Sequence, residues 1–437
     1  MSEIFFKKYK YLGFSIASSL ASKIASALIT FFAMPLILIR LGVDEFAIYS
    51  MILALTGCFA MLNLGIAPYL IVNVSELLHK NSIETKKIIS TSAFYLILFY
   101  SLTACLTFIT FISFIDLTYI FPEKYSSFFR SIYLSVLILI FFNFINSLLN
   151  VFESIQIAYK ELHLFNLHYA SGSMFVLCLL YFNHNLSFIQ VIVLSLLPIY
   201  LARLLNLVVF LYKHLYLFPS LSFFNFKKSL GMFKSSVSLS FAGGISNFLS
   251  HILPILIIGK ISSSSTTAEF AFLMNVIIGL TGILNMFILP ILPLLPEYKN
   301  NCQIGVIRKY LFRFLIGVFF LGTFSFLLLY FVINKQMNIF EKNQITFSSK
   351  ELIFAYVYFI LMSFENIYYN FLVGLNNYSK ANKLIFLRAF LGIILLLLLV
   401  DYQIKGLPFI CMSLSIILVD FFPLRLLLSK SLVLTKQ

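Results

Sequence analysis

The chain is a succession of long apolar runs separated by short polar joints, and that alternation restricts its fold more than any other feature. Twelve runs are long enough to span a bilayer as helix: about 14–39, 46–73, 91–115, 129–152, 162–182, 188–212, 235–258, 268–292, 311–334, 351–373, 382–400 and 407–428. A hydrocarbon core about 30 Å thick needs roughly 20 apolar residues in helical form. A spanning segment must pair its own backbone groups, so only helices and closed barrels can cross. The runs lack period-two alternation and are too long for barrel strands. Composition agrees. Charged residues make up 11% of the 437 residues, against about 25% in soluble domains. An all-α, polytopic integral membrane protein of twelve transmembrane helices is expected.

One passage occurs twice, near the start of each half. Pro35-Leu-Ile-Leu-Ile-Arg40-Leu41-Gly42 leads to Asp44-Glu45-Phe46-Ala47, then Leu55-Thr56-Gly57, then Ala67-Pro68. Pro254-Ile-Leu-Ile-Ile-Gly259-Lys260 leads to Ala268-Glu269-Phe270-Ala271, then Leu280-Thr281-Gly282, then Leu289-Pro290. Repeated membrane halves build two lobes that rock around one central site in many transporters. The expected organisation is an N-terminal lobe at 1–213, a cytoplasmic linker at 214–234 and a C-terminal lobe at 235–437, with six helices in each pseudo-symmetric lobe.

Orientation follows from the basic residues, because cytoplasmic loops collect Lys and Arg. Most of the 31 lie at the N-terminus, in the even-numbered loops or at the C-terminal end, among them Lys7, Lys8, Lys10, Lys86, Lys87, Lys227, Lys228, Lys309, Lys383 and Arg388. Both termini are therefore expected in the cytoplasm. The formal charge of +15 is scattered between apolar runs, which fits topology better than nucleic-acid binding. No cleaved leader is expected, since the first run is long enough to span and no A-x-A-like site follows it. The five cysteines form no CxxC, and His163 and His168 are five apart rather than four. No disulfide, metal site or cofactor is expected. No GxxxxGK[ST] nucleotide loop occurs. No joint is long enough for a soluble catalytic domain, so the chain is not expected to be an enzyme.

The stretch Phe32-Ala-Met-Pro35-Leu-Ile-Leu-Ile-Arg40-Leu-Gly-Val-Asp-Glu45-Phe-Ala-Ile-Tyr49 resembles the first-loop signature of bacterial O-antigen and polysaccharide flippases. These belong to the multidrug/oligosaccharidyl-lipid/polysaccharide exporter superfamily. Leu62-Asn63-Leu64-Gly65 resembles the family's second-helix Asp-Leu-Gly, with Asn63 in place of the acid. The resemblance implies translocation of an undecaprenyl-diphosphate-linked oligosaccharide, an O-antigen or other surface-polysaccharide repeat unit, to the outer leaflet. The headgroup would pass by alternating access through a cationic central cavity. The implied partners are that lipid-linked substrate, the lipid bilayer, a polysaccharide polymerase and a chain-length regulator. A coupling ion, proton or sodium, is implied as well.

Several residues are candidates for that task. A charge deep in a span costs around 3 kcal/mol on insertion scales, so it should face a cavity or a partner. Lys23 sits about nine residues into the first run, as a phosphate contact or a lysine snorkelling to the interface. Arg203 has no acid three or four residues away, and shares its face with Tyr200 and Asn206. It is expected to bind substrate, the alternative being a carboxylate on another helix. Glu365 is the candidate ion-coupling carboxylate; the alternative makes it the partner of Arg203 or Lys23. Asn247 belongs to a polar face with Ser236, Ser240 and Ser246 that lines a cavity or glues helices.

Glu45 and Glu269 match across the repeat at helix starts, where the dipole favours an acid. Capping is the plainer reading, and a gate contact to Arg40 or Lys260 the sharper one. Asp116 and Glu153 are expected as helix-end groups. Gly243, Gly244 and Pro254 are expected hinges, because proline and paired glycines soften a helix. Two other functions compete with the flippase. A cation-coupled multidrug antiporter of the same superfamily would want carboxylates and aromatics in its cavity. A membrane polysaccharide polymerase would want a large external loop.

Overall fold

The computed structural model describes residues 32–57, 66, 70–71, 74, 83–159, 161–234, 246, 248–288, 295, 303–335, 347–375, 378–399, 406–421 and 423–426. The long helices, in chain order, are α1 (Met34–Gly57), α2 (Ile83–Phe114), α3 (Phe129–Ala158), α4 (Leu162–Phe182) and α5 (Phe188–Lys213). They continue with α6 (Leu253–Ile261), α7 (Ser264–Ile288), α8 (Ile304–Lys335), α9 (Ser349–Gly374), α10 (Tyr378–Leu399) and α11 (Leu407–Ser415). Among the described residues eight helical segments are long and apolar enough to cross a membrane. They coincide with eight of the expected runs. The other four runs overlap residues that are not described.

The repeat in the sequence is also a repeat of local structure. The backbone is π-helical at Phe32–Ala33 and becomes α-helical with Pro35 as its second residue. It is π-helical again at Phe248–Ile252, and Pro254 is the second residue of α6. Proline lacks an N–H and suits a first helical turn, where that donor has no intrahelical partner. Each proline thus opens a new α segment.

The joints beyond the two prolines depart from expectation. The first is not a six-residue loop. Helix α1 continues through it, broken only at Gly42 (φ 72°, ψ 178°). That conformation is essentially confined to glycine, because a Cβ would clash. The second copy has an equally tight joint, Ser262–Ser263, between α6 and α7. Ser263 accepts from the Thr266 backbone N–H at 3.2 Å and so takes the capping role expected of Glu269.

The chain forms two compact units: Met1–Leu41 with Leu55–Gly244, and Gly42–Ala54 with Ile245–Gln437. In the first, α3 packs on α2, α4 and α5, and α4 lies along α5. Its core gathers Ile89, Ala93, Ile97, Phe152, Ile155, Phe210, Leu217 and Met232. The last two come from 214–234, the stretch expected as a linker. It docks instead on α2: the Asn225 N–H donates to Ser92 Oγ at 3.1 Å, and Lys87 lies 4.1 Å above the Phe223 ring. Aromatic and aliphatic residues in that stretch supply enough apolar surface to hold it there. In the second unit, α9 packs on α7, α8, α10 and α11.

Large apolar side chains are exposed in helical rows, such as Leu201, Leu204, Leu205, Val208 and Val209 of α5. Arg203 and Asn206 of the same helix are buried. An apolar face turned outward and a polar face turned inward is what a lipid solvent demands.

Two polar contacts join joints that are distant in sequence. Arg40 Nη2 meets His184 Nδ1 at 2.7 Å, joining the first and fifth joints. Arginine only donates, so the imidazole nitrogen accepts. Glu161 lies 3.8 Å from Lys213 Nζ and 3.6 Å from His214 Nε2, joining the fourth joint and the end of the sixth run. Each contact unites joints of one parity.

Candidate functional site

In the first unit α3 and α5 run side by side, and their facing residues form a polar seam. Arg203 Nε donates to Glu153 Oε1 at 2.6 Å, and Nη2 donates to Oε2 at 2.8 Å. Nη1 donates to Asn146 Oδ1 at 2.6 Å, and Nη2 also to Asn150 Oδ1 at 2.9 Å. One turn on, Gln156 and Asn206 exchange reciprocal amide bonds of 3.1 and 2.7 Å. One turn back, Tyr200 stacks on Phe142 with centroids 5.0 Å apart, and the Arg203 guanidinium lies 5.5 Å from the Tyr200 centroid.

The register explains this arrangement. Asn146, Asn150, Glu153 and Gln156 recur at three and four residues, so they share one face of α3. Four of the five guanidinium N–H donors are thereby engaged. Arg203, expected to bind substrate, has the alternative role: it is paired with a carboxylate on another helix. Glu153, expected as a helix-end group, supplies the carboxylate. Asp116 does sit at a helix end, accepting from the Thr118 N–H at 2.9 Å, and that bond holds its carboxyl below the usual range.

In the second unit Glu365 has a partner that its position in the sequence places among the loop cations. Arg388 Nη1 lies 3.1 Å from Glu365 Oε2, with both side chains buried. Arg388 is the eleventh residue of α10, well inside that helix. The loop assignment fails because Arg388 lies inside the eleventh expected run, 382–400, and the polar stretch ahead of it, from Tyr378, is itself helical. Tyr358, two turns before Glu365 on α9, has its hydroxyl 3.3 Å from His251 Nδ1, and both are buried. His251 belongs to the π-helical turn just ahead of Pro254. The cluster therefore draws on that turn, α9 and α10.

A local signal marks both acids. Phe152-Glu153-Ser154-Ile155 and Phe364-Glu365-Asn366-Ile367 are the same pattern. The first lies at the end of the fourth expected run and the second inside the tenth, and those two runs correspond across the two halves. Each glutamate is buried against an arginine of a later helix in its own unit.

The remaining candidates are scattered. Pro254 is buried at the start of α6, and Lys260 is exposed in its last turn. Glu45 is half-buried, three residues after the break at Gly42, where a restarting helix favours an acid. Glu269 is buried in the second turn of α7. Tyr200 and Arg203 are brought together in the seam. Lys23, Asn63, Gly243, Gly244 and Asn247 lie outside the described residues.

No family model and no curated protein matches the chain. Solved structures do. A multidrug resistance MATE family transporter of the MOP superfamily, in an inward-facing conformation, is similar over 95% of this chain and 98% of its own, with a TM-score of 0.67 and 15% identity. The eukaryotic MATE transporter AtDTX14 is similar over 99% of both chains, with a TM-score of 0.63 and 12% identity. The Vibrio cholerae MATE transporter VcmN, in its bent form, is similar over 98% of this chain and 97% of its own, with a TM-score of 0.61 and 12% identity. The fold is thus that of these proteins: all-α, polytopic and of the twelve-helix type, in two six-helix halves.

Proposed function

We propose that the chain is a flippase that moves an undecaprenyl-diphosphate-linked oligosaccharide from the inner to the outer leaflet by alternating access. The observation that carries this reading is the signature Pro35…Arg40-Leu41-Gly42…Tyr49 on a transporter fold. Its Gly42 holds a backbone conformation that suits glycine alone. In this reading Lys23 contacts the diphosphate and Asn247 the sugar. Tyr200 offers an aromatic edge, and Arg203 holds the α3–α5 seam rigid beside it. Pro254 with Gly243 and Gly244 forms the hinge. Arg40, Glu45 and Glu269 belong to the outer gate, and both termini are cytoplasmic.

Glu365 is the ion-coupling carboxylate. No nucleotide loop occurs in the sequence, so an ion gradient or a downstream sink would drive unloading. The polymerase and chain-length regulator would act on the delivered unit.

A second reading is a cation-coupled multidrug antiporter. The similar solved structures favour it, since one is named as a multidrug resistance transporter. Deleting the gene separates the two. The flippase reading expects lipid-linked repeat units to accumulate on the cytoplasmic face and long surface chains to disappear, with the wild-type gene restoring both. A normal surface polymer with increased sensitivity to cationic drugs would establish the antiporter instead. Single units reaching the outer face would point to a polymerase.

A further inference from the structure

The cluster around Glu365 carries a definite sign. Arg388 is always charged, because a guanidinium does not lose its proton in proteins. A proton on Glu365 removes one negative charge from 3.1 Å beside it, whatever else touches either group. Arg388 and Glu365 are 4% and 7% exposed. A buried charge that loses compensation is strongly disfavoured unless another charge of the lost sign takes its place.

We infer that proton and anionic headgroup bind this protein cooperatively: protonated Glu365 releases Arg388 to serve the diphosphate, and the bound diphosphate holds the proton on Glu365. The inference rests on the flippase reading and deepens it by naming Arg388 as an anion-binding group and fixing the sign of coupling: the proton leaves with the cargo, so a downstream sink rather than an inward proton gradient drives unloading. A cationic cargo would have the opposite sign, because a proton and a cation compete for a carboxylate.

Among the described residues, the groups facing the pair include Tyr358 on α9 and His251 on the π-helical turn. Both meet Arg388 electrostatically, and Tyr358 also meets Glu365. A proton on His251 would set a second cation facing Arg388, so Glu365 is the carrier. Glu269 is near the start of α7, Arg308, Lys309 and Arg313 are in the first turns of α8, and Arg425 acts on Tyr368. The side chain of Asp420 lies outside the described residues. Because His251 directly precedes the segment opened by Pro254, a change of charge here acts where the backbone passes from π to α helix. π-helical turns are frequent at functional sites.

The test uses the full chain in lipid nanodiscs with farnesyl diphosphate as probe, at about pH 5 and about pH 8. Wild type should bind about tenfold tighter at the acid end, one pK unit of linkage. Glu365→Gln mimics the protonated acid, so it should bind at neutral pH as wild type does in acid, with the linkage gone. A purely structural role for Glu365 would not produce tighter binding. Wild type should also take up protons in weak buffer when probe is added, beyond the uptake with empty nanodiscs. This measurement needs no variant.

Equal binding at both pH values, proton release, or a wild-type slope in Glu365→Gln would overturn the inference and leave the flippase reading standing. No binding at any pH would remove both. A cationic dye binding more tightly as pH rises would put the antiporter in their place.

Discussion

Arg203→Ala and Glu153→Ala are each expected to cost about 3–5 kcal/mol, because each leaves a buried charge without its counter-charge. The pair is bidentate, at 2.6 and 2.8 Å, and both residues are buried. Removing the arginine also strips Asn146 and Asn150 of the donor that orients them. Removing the glutamate leaves the guanidinium facing two amides and an aromatic ring. Each single variant should show a much lower thermal midpoint in detergent and poor recovery from membranes.

The double variant Arg203→Leu with Glu153→Leu should recover most of that loss, since apolar replacement of a buried ion pair is often neutral. Arg203→Lys should fall between, because an ammonium cannot reproduce the planar fork. A double variant as damaged as the singles would mean that the seam does more than pair charges. In that event the role first expected of Arg203, direct contact with substrate, would return.

Gly172→Val is expected to loosen the first unit by driving α4 away from α5. A Cβ at Gly172 would come within 2.9 Å of Ala202 Cβ, the Ile199 Cα and the Pro198 carbonyl oxygen. Two of those atoms are backbone, so a rotamer change cannot relieve the contact. Pro198 lies inside α5 and Gly172 inside α4, which makes this a small-residue crossing of the kind that lets membrane helices approach closely. Overpacking at such a point costs about 1–3 kcal/mol. The control is Gly317→Ala in α8, where no atom lies within 4 Å of the added Cβ. It should be neutral or stabilising by up to about 1 kcal/mol, from helix propensity. Equal thermal midpoints for the two variants would contradict the packing described here.

The spans were legible because their signal is local: a run of apolar residues long enough for lipid reads the same whatever surrounds it. The repeated passage was legible too, and both copies show a proline opening a helix after a π-helical stretch. The joints were less legible. Arg40-Leu-Gly-Val-Asp-Glu45 has the polarity of a loop, yet one glycine conformation makes the break and the helix resumes. The stretch 214–234 reads as a linker by its charges, but its side-chain contacts fix it to α2.

Charge pairing was the least legible feature. Arg203 finds its acid 50 residues back, on a helix two spans away, and no spacing rule reaches that far. Arg388 reads as a loop cation because it follows a polar stretch, although its own helix has already begun. The shared Phe-Glu-x-Ile pattern could have marked both acids as equivalent. Their partners depend on helix rotation, which tertiary packing decides.

Flippase activity is tested most directly by reconstitution. Purified protein is placed in liposomes with a fluorescent undecaprenyl-diphosphate oligosaccharide, and the fraction reachable by a membrane-impermeant quencher is followed. A flippase makes the inner-leaflet fraction reachable in the presence of the protein and an imposed proton gradient, while protein-free liposomes keep it protected. Continued protection of that fraction, while a cationic dye crosses the same membranes against the gradient, would contradict flippase activity and leave the multidrug antiporter.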